Sequence, residues 1–112
     1  MLTLLQAVLD RAHAGHTYVH DQVQYQRPEH WAKGLVGDCE DFALWCRHEL
    51  QLLGIASDLV LCHTEAGEGH LVCSVEGHIL DNRHRWVMRR DDLPYTWISL
   101  GAPDGTWRAI TG

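Results

Sequence analysis

The sequence has little positive charge and no long hydrophobic run. Nine Lys and Arg residues, only one of them a lysine, stand against 15 acidic residues, giving a formal net charge of -6. Binding to a nucleic-acid backbone needs the opposite sign of charge, so we expect no nucleic-acid partner. No apolar run approaches the roughly 18 residues of a membrane span, so we expect no membrane insertion. The first residues lack the basic start and unbroken apolar core of an export signal, and as written the sequence predicts a cytoplasmic protein.

Prolines and closely spaced cysteine pairs are also scarce. The 112 residues include three prolines and four cysteines, namely Cys39, Cys46, Cys62 and Cys73, with no C-x-x-C spacing. Because this is not the pattern of a disulfide framework, we interpret the cysteines as mostly reduced thiols. A composition that is 46% hydrophobic and 21% charged is typical of a chain that buries a core. The length predicts one domain over residues 1–112, and the sequence does not indicate its oligomeric state.

Apolar residues at a period near 3.6 predict two helices. The first would be an amphipathic helix with Leu2, Leu5, Val8, Leu9 and Ala12 as its apolar positions, interrupted at Gly15. The second would run from about Cys39 to Leu53, with Asp38 as its N-cap and Gly54 as its C-terminal stop. Its apolar stripe would consist of Phe42, Cys46, Leu50 and Leu53.

After Gly54 the apolar period changes from 3.6 to 2, which predicts strands. The predicted strands are residues 57–64, 70–75, 78–81, 95–100 and 106–110. If Glu76-Gly77 is a two-residue turn, Val72 faces Asp81 across the hairpin, and His70 lies on the same face as Asp81. The predicted fold class is therefore α+β, with an antiparallel meander packed on the central helix.

Three side chains suited to acyl chemistry lie at the ends of these elements. Cys39 is in the first turn of the central helix, where free backbone N–H groups and the positive end of the helix dipole favour a thiolate. His70 begins one strand, and Asp81 ends the next. A thiol nucleophile, a histidine base and a carboxylate that orients the histidine are the thiol version of a catalytic triad.

The motifs around these residues resemble one enzyme family. GDCEDFAL at 37–44, together with GHLV at 69–72 and ILDN at 79–82, resembles the bacterial transglutaminase-like cysteine proteinases, as do EHWA at 29–32, Trp97 and Trp107. The resemblance covers about residues 16 to 110. It implies a papain-like, transglutaminase-like core in which Cys39 is the nucleophile, His70 the base and Asp81 the orienting residue. It also implies a peptide or protein substrate and no required cofactor.

The short chain is most similar to compact phage or prophage members of that family. Other members are periplasmic proteases that process adhesins, and they are calcium-dependent through acids that correspond to Asp38 and Glu40. Those acids, with Asp41, surround Cys39 and oppose a thiolate, so either a His70 imidazolium or a bound calcium would offset their charge. Two carboxylates are few for a cation that takes 6–8 oxygens, and both also suit a helix N-terminus.

The sequence leaves several alternatives open. The same triad would make the protein an acyltransferase if an amine replaced water, and a non-catalytic phage assembly or host-interaction module could keep the fold with an idle site. Cys39 could be a small buried hydrophobe, and Asp81 could cap a turn. Strand alternation disfavours a further alternative, a zinc site made of Cys62, His63, His70 and Cys73.

Overall fold

Two helices and one six-stranded sheet make up the structure, a computed structural model that describes residues 1–14 and 37–110. The elements are α1 (Leu2–His13), α2 (Gly37–Leu52), β1 (Asp58–His63), β2 (Gly69–Val75), β3 (His78–Leu80), β4 (Met88–Arg89), a 3-10 helix (Arg90–Asp92), β5 (Thr96–Gly101) and β6 (Trp107–Ala109). All strand pairs are antiparallel. The predicted α+β class is confirmed, and the arrangement is compatible with a transglutaminase-like fold. In the described residues no helix is long and apolar enough to cross a membrane.

The central helix α2 begins and ends close to the predicted positions. It begins at Gly37, so Asp38 lies inside the first turn, and the N-cap position predicted for Asp38 is wrong because the backbone is already helical at Gly37. At the other end Gly54 takes a φ of +77°, and the Ile55 N–H donates to the Leu50 carbonyl, as at a glycine C-terminal stop. Leu53, which the periodicity assigns to the apolar stripe of this helix, follows the last helical residue, Leu52, and is 49% exposed.

The sheet has the strand order β4-β3-β2-β1-β5-β6. Strands β1 to β3 follow the predicted meander, and β4 is a strand that the sequence did not predict. Strand β5 pairs with β1 on the other side of the sheet, so a single continuous meander is wrong. Strand β4 is only two residues long, and the 3-10 helix after it carries the chain away from that edge. The chain then pairs with the second edge of β1, which would otherwise expose its backbone N–H and C=O groups.

The β2–β3 hairpin has the predicted register. Cys73 lies opposite Leu80 and Val75 lies opposite His78. Glu76 and Gly77 have φ values of 51° and 83°, and two residues with positive φ form the tight turn that suits a twisted hairpin. Strand β3 ends at Leu80, one residue earlier than predicted, and the same alternation puts the next residue, Asp81, on the face that carries His70.

Hydrophobic side chains cover both faces of the sheet. On the helix face, Leu59, Leu61 and Leu71 pack with residues of α2 such as Ala43, and α1 packs on α2. On the other face, Val60, Cys62 and Val72 pack with Leu93 and Tyr95 from the connection between β4 and β5. We call this second side the Tyr95 face. Alternation places His70 on it, and the ring centroids of His70 and Tyr95 are 5.6 Å apart.

Candidate active site

Cys39 is the third residue of α2 and is 3% exposed. It packs against hydrophobic side chains of the helix face, including Leu61 and Leu71. The first four N–H groups of a helix have no partner within the helix, so the backbone around Cys39 offers hydrogen-bond donors and the positive end of the dipole. Position alone is therefore compatible with either a buried thiol or an activated one, and its neighbour His70 decides between them.

His70 and Asp81 form a buried pair beside Cys39. The Nε2 of His70 donates to Oδ1 of Asp81 at 2.7 Å, and the two side chains are only 6% and 0% exposed. Burial by itself lowers the pKa of His70, but hydrogen bonds with Asp81 and with Cys39 raise it, to about 9 overall. Because Asp81 occupies Nε2, Nδ1 is the ring nitrogen that remains for Cys39. The structure thus brings the three residues singled out in the sequence into one hydrogen-bonded chain.

Asp81 accepts hydrogen bonds from three directions. Besides His70, the backbone N–H of Arg83 donates to Oδ1 at 3.0 Å, and the Tyr95 hydroxyl donates to Oδ2 at 2.5 Å. Burial raises the pKa of Asp81, but the hydrogen bond and the charge of His70, helped by Tyr95 and Arg83, bring it below its usual value. Asp81 is therefore an ionised acceptor. It also caps its own turn, because Oδ1 accepts from the Arg83 N–H two residues on, while the His84 N–H closes the turn at the Asp81 backbone carbonyl, at 3.2 Å.

Tyr95, Arg83 and Glu65 complete this network, and the sequence analysis did not identify any of them as site residues. Nη1 of Arg83 lies 3.1 Å from the Tyr95 hydroxyl, and the same guanidinium makes two bonds to Glu65, at 2.9 and 3.0 Å. Burial and the hydrogen bond to Asp81 both raise the pKa of Tyr95, so the phenol keeps its proton at neutral pH. Tyr95 stood in the sequence only as the first residue of a predicted strand, and no motif spacing marks it.

The other three cysteines are structural. All four cysteines are free thiols, as expected, and Cys46, Cys62 and Cys73 are each 0% exposed. Burial raises the pKa of all three, with Cys73 reaching about 12. Cys62 lies on the Tyr95 face and Cys73 on the helix face. The alternative zinc site is therefore wrong, and no group of three or more His, Cys, Asp or Glu side chains within residues 1–14 and 37–110 is placed to hold a metal.

The same finding bears on calcium. Glu40 is half-buried, and burial, followed by the neighbouring Asp41, raises its pKa. The side chain of Asp38 lies outside the described residues. The described side chains do not assemble a set of oxygens for a cation that takes 6–8 of them.

Comparison with known proteins gives one match. A search of curated proteins and a search of solved structures each found no match. A family model described as bacterial transglutaminase-like cysteine proteinase, BTLCP, matches residues 1–112, which is the whole chain. Of the motifs that resemble this family, EHWA at 29–32 lies outside the described residues. Cys39, His70 and Asp81 all lie within them. The chain belongs to the bacterial transglutaminase-like cysteine proteinase family.

Proposed function

We propose that the protein is a cysteine peptidase that cleaves a peptide or amide bond with Cys39 as nucleophile, His70 as general acid and base, and Asp81 as the residue that orients His70. The observation that carries this proposal is the buried 2.7 Å hydrogen bond between His70 and Asp81. The imidazole of His70 also bonds with Cys39, which lies at the N-terminus of α2. Family membership supports the same reaction class.

The first half of the reaction forms an acyl-enzyme. With a pKa of about 9, His70 carries a positive charge at neutral pH, and an imidazolium beside Sγ favours the thiolate of Cys39. The thiolate attacks the carbonyl carbon of the substrate, and the carbonyl oxygen becomes an oxyanion. Backbone N–H groups in the first turn of α2 would stabilise that charge. His70 then gives its proton to the leaving amine, and the C–N bond breaks.

The second half releases the product. After giving up its proton, His70 is a neutral base, and it takes a proton from a water molecule that attacks the thioester. The C–S bond then breaks, the carboxylic acid leaves, and the thiolate–imidazolium pair is restored. Throughout the cycle Asp81 holds Nε2 of His70, so Nδ1 stays directed at the reacting atoms. An amine in place of water would give acyl transfer with the same residues.

Selective alkylation tests the activated thiol without any knowledge of the substrate. Iodoacetamide at neutral pH should modify Cys39 first, because a thiol with the pKa of Cys73, about 12, holds on the order of 10⁻⁵ of its population as thiolate at pH 7. Mass spectrometry of tryptic peptides identifies the modified residue. In His70→Asn, which keeps a polar side chain of similar size, alkylation of Cys39 should slow by at least tenfold if the imidazolium activates it. Equal rates in the two proteins would mean that access alone controls labelling.

Turnover tests the peptidase itself. A peptide library should reveal cleavage by the wild-type protein, and Cys39→Ala and His70→Ala should abolish it while the circular dichroism spectrum stays unchanged. Cys46→Ala is the matched control, because Cys46 is a buried cysteine of the same helix and should affect stability alone. Added amine separates hydrolysis from acyl transfer through the product it traps. An activated Cys39 with no cleavage and no amine product would instead favour a binding module.

A further inference from the structure

The carboxylate of Asp81 is within reach of two histidines. His70 donates to Oδ1 at 2.7 Å, and Nε2 of His84 lies 3.9 Å from Oδ2. The Tyr95 hydroxyl stands between the second histidine and the carboxylate. It is 2.5 Å from Oδ2 and 3.3 Å from Nε2 of His84. As a result, Tyr95 already occupies the oxygen that His84 would take.

Arg83 fixes the direction of the Tyr95 hydroxyl. Arginine side chains can only donate hydrogen bonds, so Nη1 of Arg83 must donate to the phenol oxygen across their 3.1 Å contact. The phenol proton is then left for Asp81, which as an ionised carboxylate can only accept. Glu65 holds the guanidinium with two hydrogen bonds, and the same guanidinium lies 5.5 Å from the centroid of the Tyr95 ring. The bond received from Arg83 and the bond donated to Asp81 therefore define one orientation of this hydroxyl.

We propose that Tyr95 is a positioning residue that reserves Asp81 for His70. By donating to Oδ2 and separating His84 from it, Tyr95 keeps the carboxylate turned so that Oδ1 faces Nε2 of His70. The ring of Tyr95 also meets the His70 ring edge to face, at an interplanar angle of 79°, and so limits its rotation. This role rests on the proposed peptidase function, because Tyr95 acts on the reaction through Asp81 and His70.

The test compares Tyr95→Phe with the double variant Tyr95→Phe/His84→Ala. Phenylalanine keeps the ring but loses the hydroxyl, so kcat should fall by about ten- to a hundredfold, as expected for one hydrogen bond to a charged group, while KM stays unchanged. Removing His84 removes the competitor for Oδ2, so the double variant should recover part of kcat. Adding His63→Ala instead is the matched control, because His63 is an exposed histidine at the end of β1, and it should rescue nothing.

A second readout does not depend on turnover. In the NMR spectrum a proton held between His70 and Asp81 should give a signal far downfield, which Asp81→Asn removes. That signal should weaken in Tyr95→Phe and return in Tyr95→Phe/His84→Ala.

If Tyr95→Phe does not fold, Arg83→Met is the second variant. It keeps Tyr95 but loses the donor that orients the Tyr95 hydroxyl, so it should also lower kcat. An unchanged signal and an unchanged kcat in Tyr95→Phe, or equal rescue by His63→Ala, would overturn the role of Tyr95. A wild-type protein that shows the signal but cleaves no peptide would refute the peptidase function alone.

Discussion

Asp81→Asn should separate the charge of Asp81 from its shape. Asparagine has nearly the same volume and keeps an oxygen that can accept from Nε2 of His70, but it carries no negative charge. Burial lowers the pKa of His70, but hydrogen bonds with Asp81 and Cys39, together with the charges of both, raise it from 6.5 to about 9. Without the charge of Asp81, burial opposes only the contribution of Cys39, so the pKa of His70 in the variant should fall to about 6.5, the ordinary value of a histidine.

That change in pKa sets the size and the sign of the effect. At pH 7.5 a histidine with a pKa of 9 is about 97% imidazolium, and one with a pKa of 6.5 is about 9% imidazolium. The imidazolium population thus falls about tenfold, and activity at pH 7.5 should fall at least as much. At pH 6 the variant is still about 76% protonated, so the difference from wild type should shrink. The basic limb of the pH–rate profile should move from about pH 9 to about pH 6.5.

The assay is the rate of Cys39 alkylation, together with kcat/KM once a substrate is found, measured from about pH 5 to pH 10. Asp104→Asn is the matched control, because Asp104 is an exposed aspartate that accepts bonds from Thr106 in its own turn, and asparagine can accept the same bonds. It should leave the profile unchanged. A basic limb in Asp81→Asn at the same pH as in wild type would show that the charge of Asp81 does not set the protonation of His70.

Three further predictions concern stability and calcium. The folded protein binds the His70 proton more tightly than the unfolded chain does. The free energy of unfolding should therefore fall by on the order of 3 kcal/mol as pH rises from 6.5 through about 9. Denaturant titrations of His70→Asn should show a much smaller dependence on pH. Gly101→Ala places a Cβ 2.7 Å from the Trp107 ring, and overpacking of that kind should cost about 1–3 kcal/mol, seen as a lower melting temperature. Calcium binding at Asp38 and Glu40 stays a prediction. Calorimetric titration of chelator-treated protein with calcium should release or absorb heat, and calcium should raise the melting temperature. Neither effect should occur in Glu40→Gln. No heat and no shift at millimolar calcium in the wild-type protein would leave these acids with their place in the first turn of α2.

The β2–β3 hairpin could be predicted from the sequence because its information is local. Glu76-Gly77 supplies the residues that accept a positive φ, and a two-residue turn fixes the parity of every pair beyond it. The bond between His70 and Asp81 follows from that parity, although its 2.7 Å length does not. In the same way, Gly54 ended α2 because the stop depends on one residue and its neighbours.

The place of β5 and the role of Tyr95 could not be predicted in this way. Alternation identifies a strand but not its partner, and β5 pairs with β1 only because the short β4 and the 3-10 helix lead the chain back across the sheet. Tyr95 lies in that returning segment. Its contact with Asp81 depends on tertiary packing between segments that share no local pattern, so only the assembled Tyr95 face brings the two together.

At the level of sequence, Asp81 could be either a turn cap or an orienting carboxylate. The two roles are compatible because one carboxylate oxygen has two lone pairs and can accept two hydrogen bonds. The backbone N–H of Arg83 and the ring of His70 share Oδ1, Tyr95 takes Oδ2, and the His84 N–H takes the backbone carbonyl. Capping fixes the carboxylate relative to the end of β3, and a carboxylate fixed to the backbone can in turn fix an imidazole. A buried carboxylate costs free energy unless its oxygens are hydrogen-bonded, so the turn that stabilises Asp81 is also what allows an ionised carboxylate to stand beside His70. The cap is therefore part of the proposed catalytic apparatus, and a substitution that disturbs the turn should alter the protonation of His70 before it unfolds the sheet.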